Sequence, residues 1–230
     1  TRMPRIEIVD KKIIHQSEIY RTPLLSPSTI DMQQVEKIIQ SEYEKAGVEP
    51  SEVKTGAIII TGETATKNNA EEVIHHLSEF AGDFLVATAG PDLESIIAAK
   101  GSGAYEFSKK TSKTIANIDI GGGTANVAVY RNGQLCGTCT LHIGGRLITH
   151  ANGRIQTISP PIQKLIEQKN FQLSIGDPYD VSRLKVITDY MASTIGRMLN
   201  NQLTDDDKVL LLGHLPNWNI NVDAIMFSGG

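Results

Sequence analysis

The sequence of 230 residues predicts an α/β fold built from two related halves. In the first half, short apolar runs alternate with segments whose apolar residues recur at helical spacing, which is typical of a mixed sheet packed against helices. The second half opens with three consecutive strand patterns and then alternates between helix and strand. The two patterns meet near residue 115, so we expect a hinge there.

The first half begins with apolar residues at alternate positions in residues 5–22, which predict two strands around Asp10-Lys11. Helical spacing from Asp31 to Ala46, followed by Gly47, predicts a helix with a glycine stop. The remaining predicted elements are a strand buried on both faces within 56–64, a helix at 68–81, a buried strand at 84–88 and a helix at 91–100.

The second half begins with strands predicted at 114–120, 124–130 and 134–143. The turn Arg131-Asn132-Gly133 joins the second to the third, because Asn-Gly favours a tight hairpin. The later predicted elements are a helix-like start at Arg146, a helix starting at 160–168, a long helix from Tyr179 to Asn200, and buried strands at 208–212 and 224–227.

The composition argues against nucleic acid and membranes as partners. Lys and Arg number 22 against 26 Asp and Glu, and the net charge of −4 gives no general attraction to polyanions. No apolar run approaches the length of a membrane-spanning helix. Two cysteines in a chain of this length are typical of a reducing compartment rather than of a disulfide framework. We therefore expect a cytoplasmic protein.

A run of three glycines, Gly121 to Gly123, follows Asp119 and precedes Thr124. The next residues alternate like a strand, whereas a Rossmann turn or a P-loop leads into a helix. Consecutive backbone N–H groups in such a turn can hold an anion, and glycine permits unusual backbone angles and close approach of a phosphate. Asp119 can hold Mg²⁺ directly or through its waters. The alternative is a structural hairpin turn capped by Asp119.

Three stretches resemble the actin-like ATPase superfamily, which includes the Hsp70 chaperones and the sugar kinases: "IDIGGGTANVAVYRNG" at 118–133, "LHIGGRLI" at 141–148 and "AIMFSGG" at 224–230. The resemblance implies an actin-like (ribonuclease H-like) fold with two βββαβα-type lobes. It identifies the first stretch with the second phosphate loop and the last with the start of the adenosine motif. The implied site residues are Gly121, Gly122, Gly123 and Thr124 for the phosphates of ATP, Gly229 and Gly230 for the base and ribose, and Asp119 for Mg²⁺ held through water.

Longer stretches resemble a narrower family, the EutA reactivating factors of ethanolamine ammonia-lyase. They lie at 55–73, 81–104, 117–130 and 143–148. This resemblance implies an ATP-dependent chaperone that opens the lyase, expels damaged cobalamin and admits adenosylcobalamin. The implied activity is at most a chaperone-type ATPase, with no covalent chemistry on a metabolite. The implied location is the bacterial cytoplasm, in or beside the ethanolamine microcompartment. The implied partner is ethanolamine ammonia-lyase, and a homodimer is left as an open alternative.

The match stops at both ends of the chain. We expect the first phosphate loop before Thr1, and the adenosine motif is cut after Gly230, so we expect a truncated piece of a longer protein that binds ATP poorly by itself. We assign residues 1–115 to an incomplete first actin-like lobe that lacks the first phosphate loop. Residues 116–230 form the second lobe, with the second phosphate loop and the start of the adenosine motif.

The carboxylate that positions the attacking water has no clear place in this sequence. Filament-forming relatives carry an acid directly before the proline of the connecting helix, where this chain has Gly90 before Pro91. Glu63 is a weak candidate replacement and so is Glu94, although each is also explained as a helix-start or surface carboxylate. Two other functions therefore stay open: a small-molecule kinase or phosphatase of the same superfamily, and a non-hydrolysing actin-like scaffold.

Overall fold

The computed structural model describes residues 10, 12–26, 28–61, 64, 67–81, 84–88 and 90–229, so that Glu63 and Gly230 lie outside the described residues. The chain forms two compact units, Thr1–Ile60 with Thr64–Thr88 and Thr61–Glu63 with Ala89–Gly230. The lobe boundary predicted between residues 115 and 116 falls within the second unit. The assignment of two actin-like lobes stays a prediction.

The first unit contains short strands and two helices in the part of the chain that is described. The elements are β1 (Leu24–Ser26), β2 (Thr29–Ile30), α1 (Met32–Ala46), β3 (Gly56–Ile60), α2 (Ala70–Ala81) and β4 (Phe84–Thr88), with a 3₁₀ turn at Pro50–Glu52. Strands β1 and β2 pair antiparallel, and β3 and β4 pair parallel. The predicted helices of this unit and its strands near residues 58 and 86 are confirmed.

Helix α1 has the ends that the sequence predicts. The side chain of Asp31 accepts a hydrogen bond from the backbone N–H of Gln34 at 3.1 Å, and Gly47 ends the helix with a φ of 64°. An N-terminal carboxylate cap and a left-handed glycine satisfy the free groups at the two helix ends. The apolar side of α1 packs on a core made by Ile30, Ala70, Val73 and Leu77.

Two predictions for this unit are wrong. Residues 12–22 form no strand; instead, His15 Nε2 and Tyr20 Oη lie 2.8 Å and 2.6 Å from the carboxylate of Glu42 on α1. The rest of that predicted strand pair, residues 5–9 and 11, lies outside the described residues. Strand β3 is not buried on both faces: Ile58 packs against the core, but 49% of Ile59 is exposed. Alternation along a strand sends neighbouring side chains to opposite faces, and the core covers one of them.

The second unit contains a sheet with helices on both faces. Its elements are α3 (Pro91–Gly101), α4 (Ala104–Lys110), β5 (Thr114–Ile120), β6 (Ala125–Arg131), β7 (Gln134–Leu141), β8 (Ile148–Ala151), β9 (Arg154–Ile158), α5 (Pro160–Lys169), α6 (Val181–Leu199), β10 (Leu211–Leu212) and β11 (Ala224–Gly229), with a 3₁₀ turn at Asp206–Leu210.

The sheet of this unit has five strands in the order β10-β7-β6-β5-β11. Strands β5, β6 and β7 are consecutive and antiparallel, and β11 returns to pair parallel with β5. The hairpin between β6 and β7 turns at Asn132 and Gly133, whose φ angles are 52° and 73°. The three consecutive strands predicted at the start of this half and the helices predicted at 160–168 and 179–200 are present, and the α/β fold class is confirmed.

Each face of the sheet packs against its own pair of helices. One face enters the larger core with α5 and α6, and its strand residues are Ala116, Ile118, Ala125, Val127, Val129, Cys139 and Leu141. The other face packs against α3 and α4, and its strand residues are Ile115, Ala128 and Tyr130. Because side chains alternate along β5, Asn117 and Asp119 lie on this second face.

Four features of the second unit differ from the prediction. The strand predicted as buried at 224–227 forms β11, but 46% of Ile225 and 66% of Phe227 are exposed. A hairpin of β8 and β9 replaces the helix-like start predicted at Arg146, because Asn152 and Gly153 adopt φ angles of 52° and 72° and close a tight turn. Most of the strand predicted at 208–212 is a 3₁₀ turn, and only Leu211 and Leu212 pair with β7. Helix α4 lies in a segment for which no element was predicted. Among the described residues, no helix is both long and apolar enough to cross a membrane.

Candidate phosphate-binding site

The predicted site residues of the second unit meet at the carboxyl ends of two adjacent parallel strands. Asp119 and Ile120 end β5, and in the parallel pairing they lie opposite Ser228 and Gly229 of β11. In open α/β sheets, ligands bind in the crevice beyond the carboxyl ends of the strands. The register between β5 and β11 therefore brings the glycine turn and Gly229 to one edge of the sheet.

The loop that follows β7 stabilises the glycine turn through backbone hydrogen bonds. The N–H of Gly121 donates to the carbonyl oxygen of Thr124 at 2.9 Å, which closes the turn between β5 and β6. The carbonyl oxygens of Gly121 and Gly122 accept hydrogen bonds from the N–H groups of Gly145 and Arg146, at 3.0 Å and 2.7 Å. These two carbonyl oxygens are thus already bonded to the neighbouring loop.

Three backbone N–H groups of the same turn have no hydrogen-bond acceptor among the described residues. Among the described residues, the backbone N–H groups of Gly122, Gly123 and Thr124 donate no hydrogen bond, and Gly121 and Gly122 are exposed. A short run of unpaired N–H groups carries positive partial charge and forms a concave anion site. The turn therefore fits a phosphate group.

The glycines provide space rather than an unusual backbone angle. None of Gly121, Gly122 and Gly123 has a φ in the left-handed region, so the prediction that the turn needs glycine for its angles is wrong. A Cβ at Gly123 would meet no atom within 4 Å, and one at Gly121 would meet only the Thr124 carbonyl oxygen at 3.8 Å. A side chain would instead fill the space through which a ligand reaches the amides.

Asp119 is positioned by a chain of polar side chains on the α3/α4 face. Its Oδ1 accepts a hydrogen bond from the hydroxyl of Ser228 at 2.5 Å. Ser228 Oγ in turn accepts from Asn117 Nδ2 at 3.0 Å, and Asn117 Oδ1 accepts from the hydroxyl of Ser102 at 2.7 Å. Asp119 Oδ2 makes no hydrogen bond with the described residues. One carboxylate oxygen is thus fixed, and the other can accept from a water of a hydrated Mg²⁺.

Thr124 supports the turn from inside. It is buried, and its hydroxyl oxygen accepts from Asn126 Nδ2 at 3.3 Å. Asn126 Oδ1 accepts from the hydroxyl of Thr140 at 3.0 Å, and both of these residues are buried. Buried polar groups that satisfy one another fix the geometry of their surroundings. Contact between the Thr124 hydroxyl and a phosphate stays a prediction.

Gly229 is required by the backbone. Its φ is 98°, which is strained for any residue with a Cβ, and a Cβ there would collide with the carbonyl oxygen of Ile120. The structure therefore places this glycine directly beside the start of the glycine turn. Its contact with a base or ribose stays a prediction, and Gly230 lies outside the described residues.

The described residues do not identify the carboxylate that would position the attacking water. Glu63 lies outside the described residues. Gly90 is the N-cap of α3, ahead of Pro91, and Glu94 lies in the first turn of that helix. A role for Glu94 in hydrolysis stays a prediction.

Sequence reasoning missed two polar contributors to this region. Ser228 is a polar residue at an alternate position of an otherwise apolar strand, which was the available signal. The position of Arg146 beside Gly122 has no signal in the linear sequence, because the two residues lie in different loops. In the structure, a Cβ on Gly122 would lie 3.3 Å from Arg146 Cδ.

Comparisons with known proteins match the whole chain. A family model described as the ethanolamine utilisation protein EutA matches residues 1–230. The chain is 35% identical over 231 residues to the ethanolamine ammonia-lyase reactivase EutA of Escherichia coli (strain K12) and to that of Salmonella typhimurium (strain LT2), covering 100% of this chain and 50% of each relative. The chain thus spans about half the length of the curated relatives it matches. Among solved structures, a Ppx/GppA phosphatase of Aquifex aeolicus superposes with a TM-score of 0.48 at 16% identity, over 86% of this chain and 51% of that protein, a likeness too low to bear on function.

Proposed function

Because this chain belongs to the family of the ethanolamine utilisation protein EutA, we propose that it forms the nucleotide-binding part of a reactivating factor for ethanolamine ammonia-lyase. The family predicted from the sequence is thereby confirmed. The curated relatives carry the name of an ethanolamine ammonia-lyase reactivase. Since the chain spans half of their length, we propose the reactivating activity for the whole protein and the nucleotide-binding role for this part of it.

One observation carries the proposal of ATP as the ligand: two carbonyl oxygens of the glycine turn are bonded to the loop after β7, whereas three of its N–H groups have no acceptor among the described residues. Gly121, Gly122, Gly123 and Thr124 would hold the phosphates, and Gly229 with Gly230 would lie against the base and ribose. Asp119 would hold Mg²⁺ through water, and the ion would neutralise phosphate charge. Bound ATP would supply the free energy for a change of shape.

Reactivation by such a protein would be mechanical. A nucleotide can shift a conformational equilibrium only by binding one state better than the other. We place that difference in the angle between the two predicted actin-like lobes, whose relative motion would open the lyase, release damaged cobalamin and admit adenosylcobalamin. The protein would act in the bacterial cytoplasm, in or beside the ethanolamine microcompartment, without covalent chemistry on a metabolite.

The test uses the full-length protein and ethanolamine ammonia-lyase inactivated with hydroxocobalamin. Recovery of ammonia release is measured after adding MgATP and adenosylcobalamin. We expect recovery with the unmodified protein and loss of at least 90%, about tenfold, with Asp119→Asn, because a neutral amide holds hydrated Mg²⁺ poorly. Asp205→Asn is the matched control, since the Asp205 side chain is 94% exposed and pairs only with Lys208 among the described residues.

Each rival function has its own outcome in this assay. Recovery that is equal with and without ATP would support a non-hydrolysing scaffold. No recovery, combined with transfer of phosphate from ATP to a metabolite, would support a small-molecule kinase, and either result would overturn the proposal. Recovery that Asp119→Asn leaves unchanged would remove Asp119 from the site.

A further inference from the structure

We propose that Arg146 is a second anion-binding group of the glycine turn and that its guanidinium binds the polyphosphate end of the nucleotide. The inference rests on the proposed function, because it names a residue that selects triphosphates at the same site. It adds a cationic side chain to a site that would otherwise consist of backbone N–H groups and one carboxylate.

Arg146 contacts the turn through both its backbone and its side chain. Its backbone N–H donates to the carbonyl oxygen of Gly122 at 2.7 Å. Its side chain then lies over the same glycine: a Cβ on Gly122 would be 3.6 Å from Cγ and 3.3 Å from Cδ of Arg146. The guanidinium begins one atom beyond Cδ, so it starts close to Gly122, the first of the three residues (Gly122, Gly123 and Thr124) whose N–H groups have no acceptor among the described residues.

The charge of Arg146 is not neutralised within the part of the chain that the structure describes. Arg183 pairs with Asp177 and Arg197 pairs with Asp207, whereas Arg146 is exposed and forms neither an ion pair nor a side-chain hydrogen bond there. The carboxylate of Asp119, which precedes the turn, accepts a hydrogen bond from Ser228 and none from Arg146 among the described residues. An exposed cation beside unpaired N–H groups attracts anions, because both contributions have the same sign.

The backbone is shaped to bring this arginine close. Gly144, two residues earlier, approaches the turn so tightly that a Cβ there would lie 2.6 Å from the carbonyl carbon and oxygen of Gly122 and 2.7 Å from the nitrogen of Gly123. Any larger residue at 144 would push the loop away and carry Arg146 with it. The absence of a side chain at Gly122 likewise leaves room for the arginine stem.

Arginine is suited to this position by its chemistry. The planar guanidinium presents a fork of N–H donors that matches two oxygens of one phosphate, whereas a lysine ammonium acts as a point charge. The expected dependence is therefore on phosphate number: the contact adds affinity for ATP and for inorganic tripolyphosphate but none for adenosine.

The experiment measures dissociation constants by titration calorimetry on the full-length protein with Mg²⁺. The probes are the non-hydrolysable triphosphate AMPPNP, adenosine and inorganic tripolyphosphate. Arg146→Gln keeps the aliphatic stem and removes the charge, and Arg146→Lys keeps the charge and loses the fork. Arg131→Gln is the matched control, because Arg131 is also exposed and lies at the opposite end of β6 from the turn.

We expect Arg146→Gln to weaken AMPPNP and tripolyphosphate binding by about tenfold or more, with the affinity for adenosine unchanged. Arg146→Lys recovers part of the loss, and Arg131→Gln behaves like the unmodified protein. Equal affinities for AMPPNP and tripolyphosphate in the Arg146→Gln and unmodified proteins, at equal thermal stability, would overturn the role of Arg146 while leaving the proposed function intact. Tripolyphosphate binding that depends on Arg146 without any binding of AMPPNP would support the anion site and contradict the proposed function, and no binding of either probe would overturn both.

Discussion

The hydroxyl of Ser228 donates a 2.5 Å hydrogen bond to Oδ1 of Asp119, which joins the last described strand of the sheet to the carboxylate in front of the glycine turn. Asn117 donates to the same Ser228 oxygen and continues the chain to Ser102 between α3 and α4. The position of Asp119 therefore depends on helices and strands that are distant from it in sequence.

Replacing Ser228 by Ala tests this dependence. We expect the free energy of unfolding to fall by about 1–3 kcal/mol, because the buried Asn117 amide loses its acceptor. Urea denaturation followed by circular dichroism measures the change. Ser112→Ala is the control, since Ser112 is exposed in the turn before β5. Equal losses in the two variants would mean that the Ser228 hydroxyl adds no net stability.

Gly229→Ala should be far more costly than an ordinary glycine substitution. The new Cβ meets both a φ of 98° and the carbonyl oxygen of Ile120, so we expect a loss of more than about 3 kcal/mol. Gly153→Ala has a φ of 72° but no atom within 4 Å of its Cβ, and should cost only about 1 kcal/mol. Thermal unfolding of both variants gives the comparison, and similar midpoints would contradict the collision at Ile120.

Gly123→Ala separates binding from stability. Its Cβ enters open space and its φ is not in the left-handed region, so the free energy of unfolding should change by less than about 0.5 kcal/mol. The same Cβ obstructs the approach of a phosphate to the unpaired N–H groups, so calorimetry with MgATP on the full-length protein should show at least about tenfold weaker binding. Unchanged affinity would place the ligand elsewhere.

The contact between His214 and Asp92 should make stability depend on pH. A hydrogen bond to the Leu215 carbonyl oxygen and the contact with Asp92 raise the pKa of His214 above 6.5, whereas the Thr138 hydroxyl and His214 lower the pKa of Asp92 below 3.8. The stabilisation from His214 is complete below its unfolded pKa and is lost as pH rises through the folded pKa. That from Asp92 is present above its unfolded pKa and is lost as pH falls. The pair therefore stabilises most strongly between these values.

A His214→Gln variant tests this pH window. Both side chains are about half exposed, so we expect the variant to lose no more than about 1 kcal/mol near pH 5 to 6. The difference from the unmodified protein should shrink as pH rises through the folded pKa of His214, because the imidazole then loses its charge. Unfolding midpoints across this range measure it. A difference that does not change with pH would assign His214 a packing role only.

Local signals predicted much of the fold but little of the contact network around the site. Asp31 and Gly47 mark the ends of α1, and the turn at Asn132-Gly133 marks a hairpin, because each acts on its own backbone. The Asn-Gly pair at 152–153 likewise marks a hairpin turn, which contradicts the helix start predicted at Arg146. Contacts such as Ser228 with Asp119 depend on the parallel register of β5 and β11, which no local pattern contains. The placement of Arg146 over Gly122 likewise depends on the packing of two loops.

Parallel pairing of β5 with β11 also has a consequence for how the protein is made. Ser228 and Asp119 are 109 residues apart, so the intervening chain must be synthesised and brought back before their bond forms. Closing so long a loop carries an entropic cost that contacts between neighbouring strands avoid. Pairing of β5, β6 and β7 through short hairpins therefore needs less loop closure than the β5–β11 pairing on which the Ser228–Asp119 bond depends.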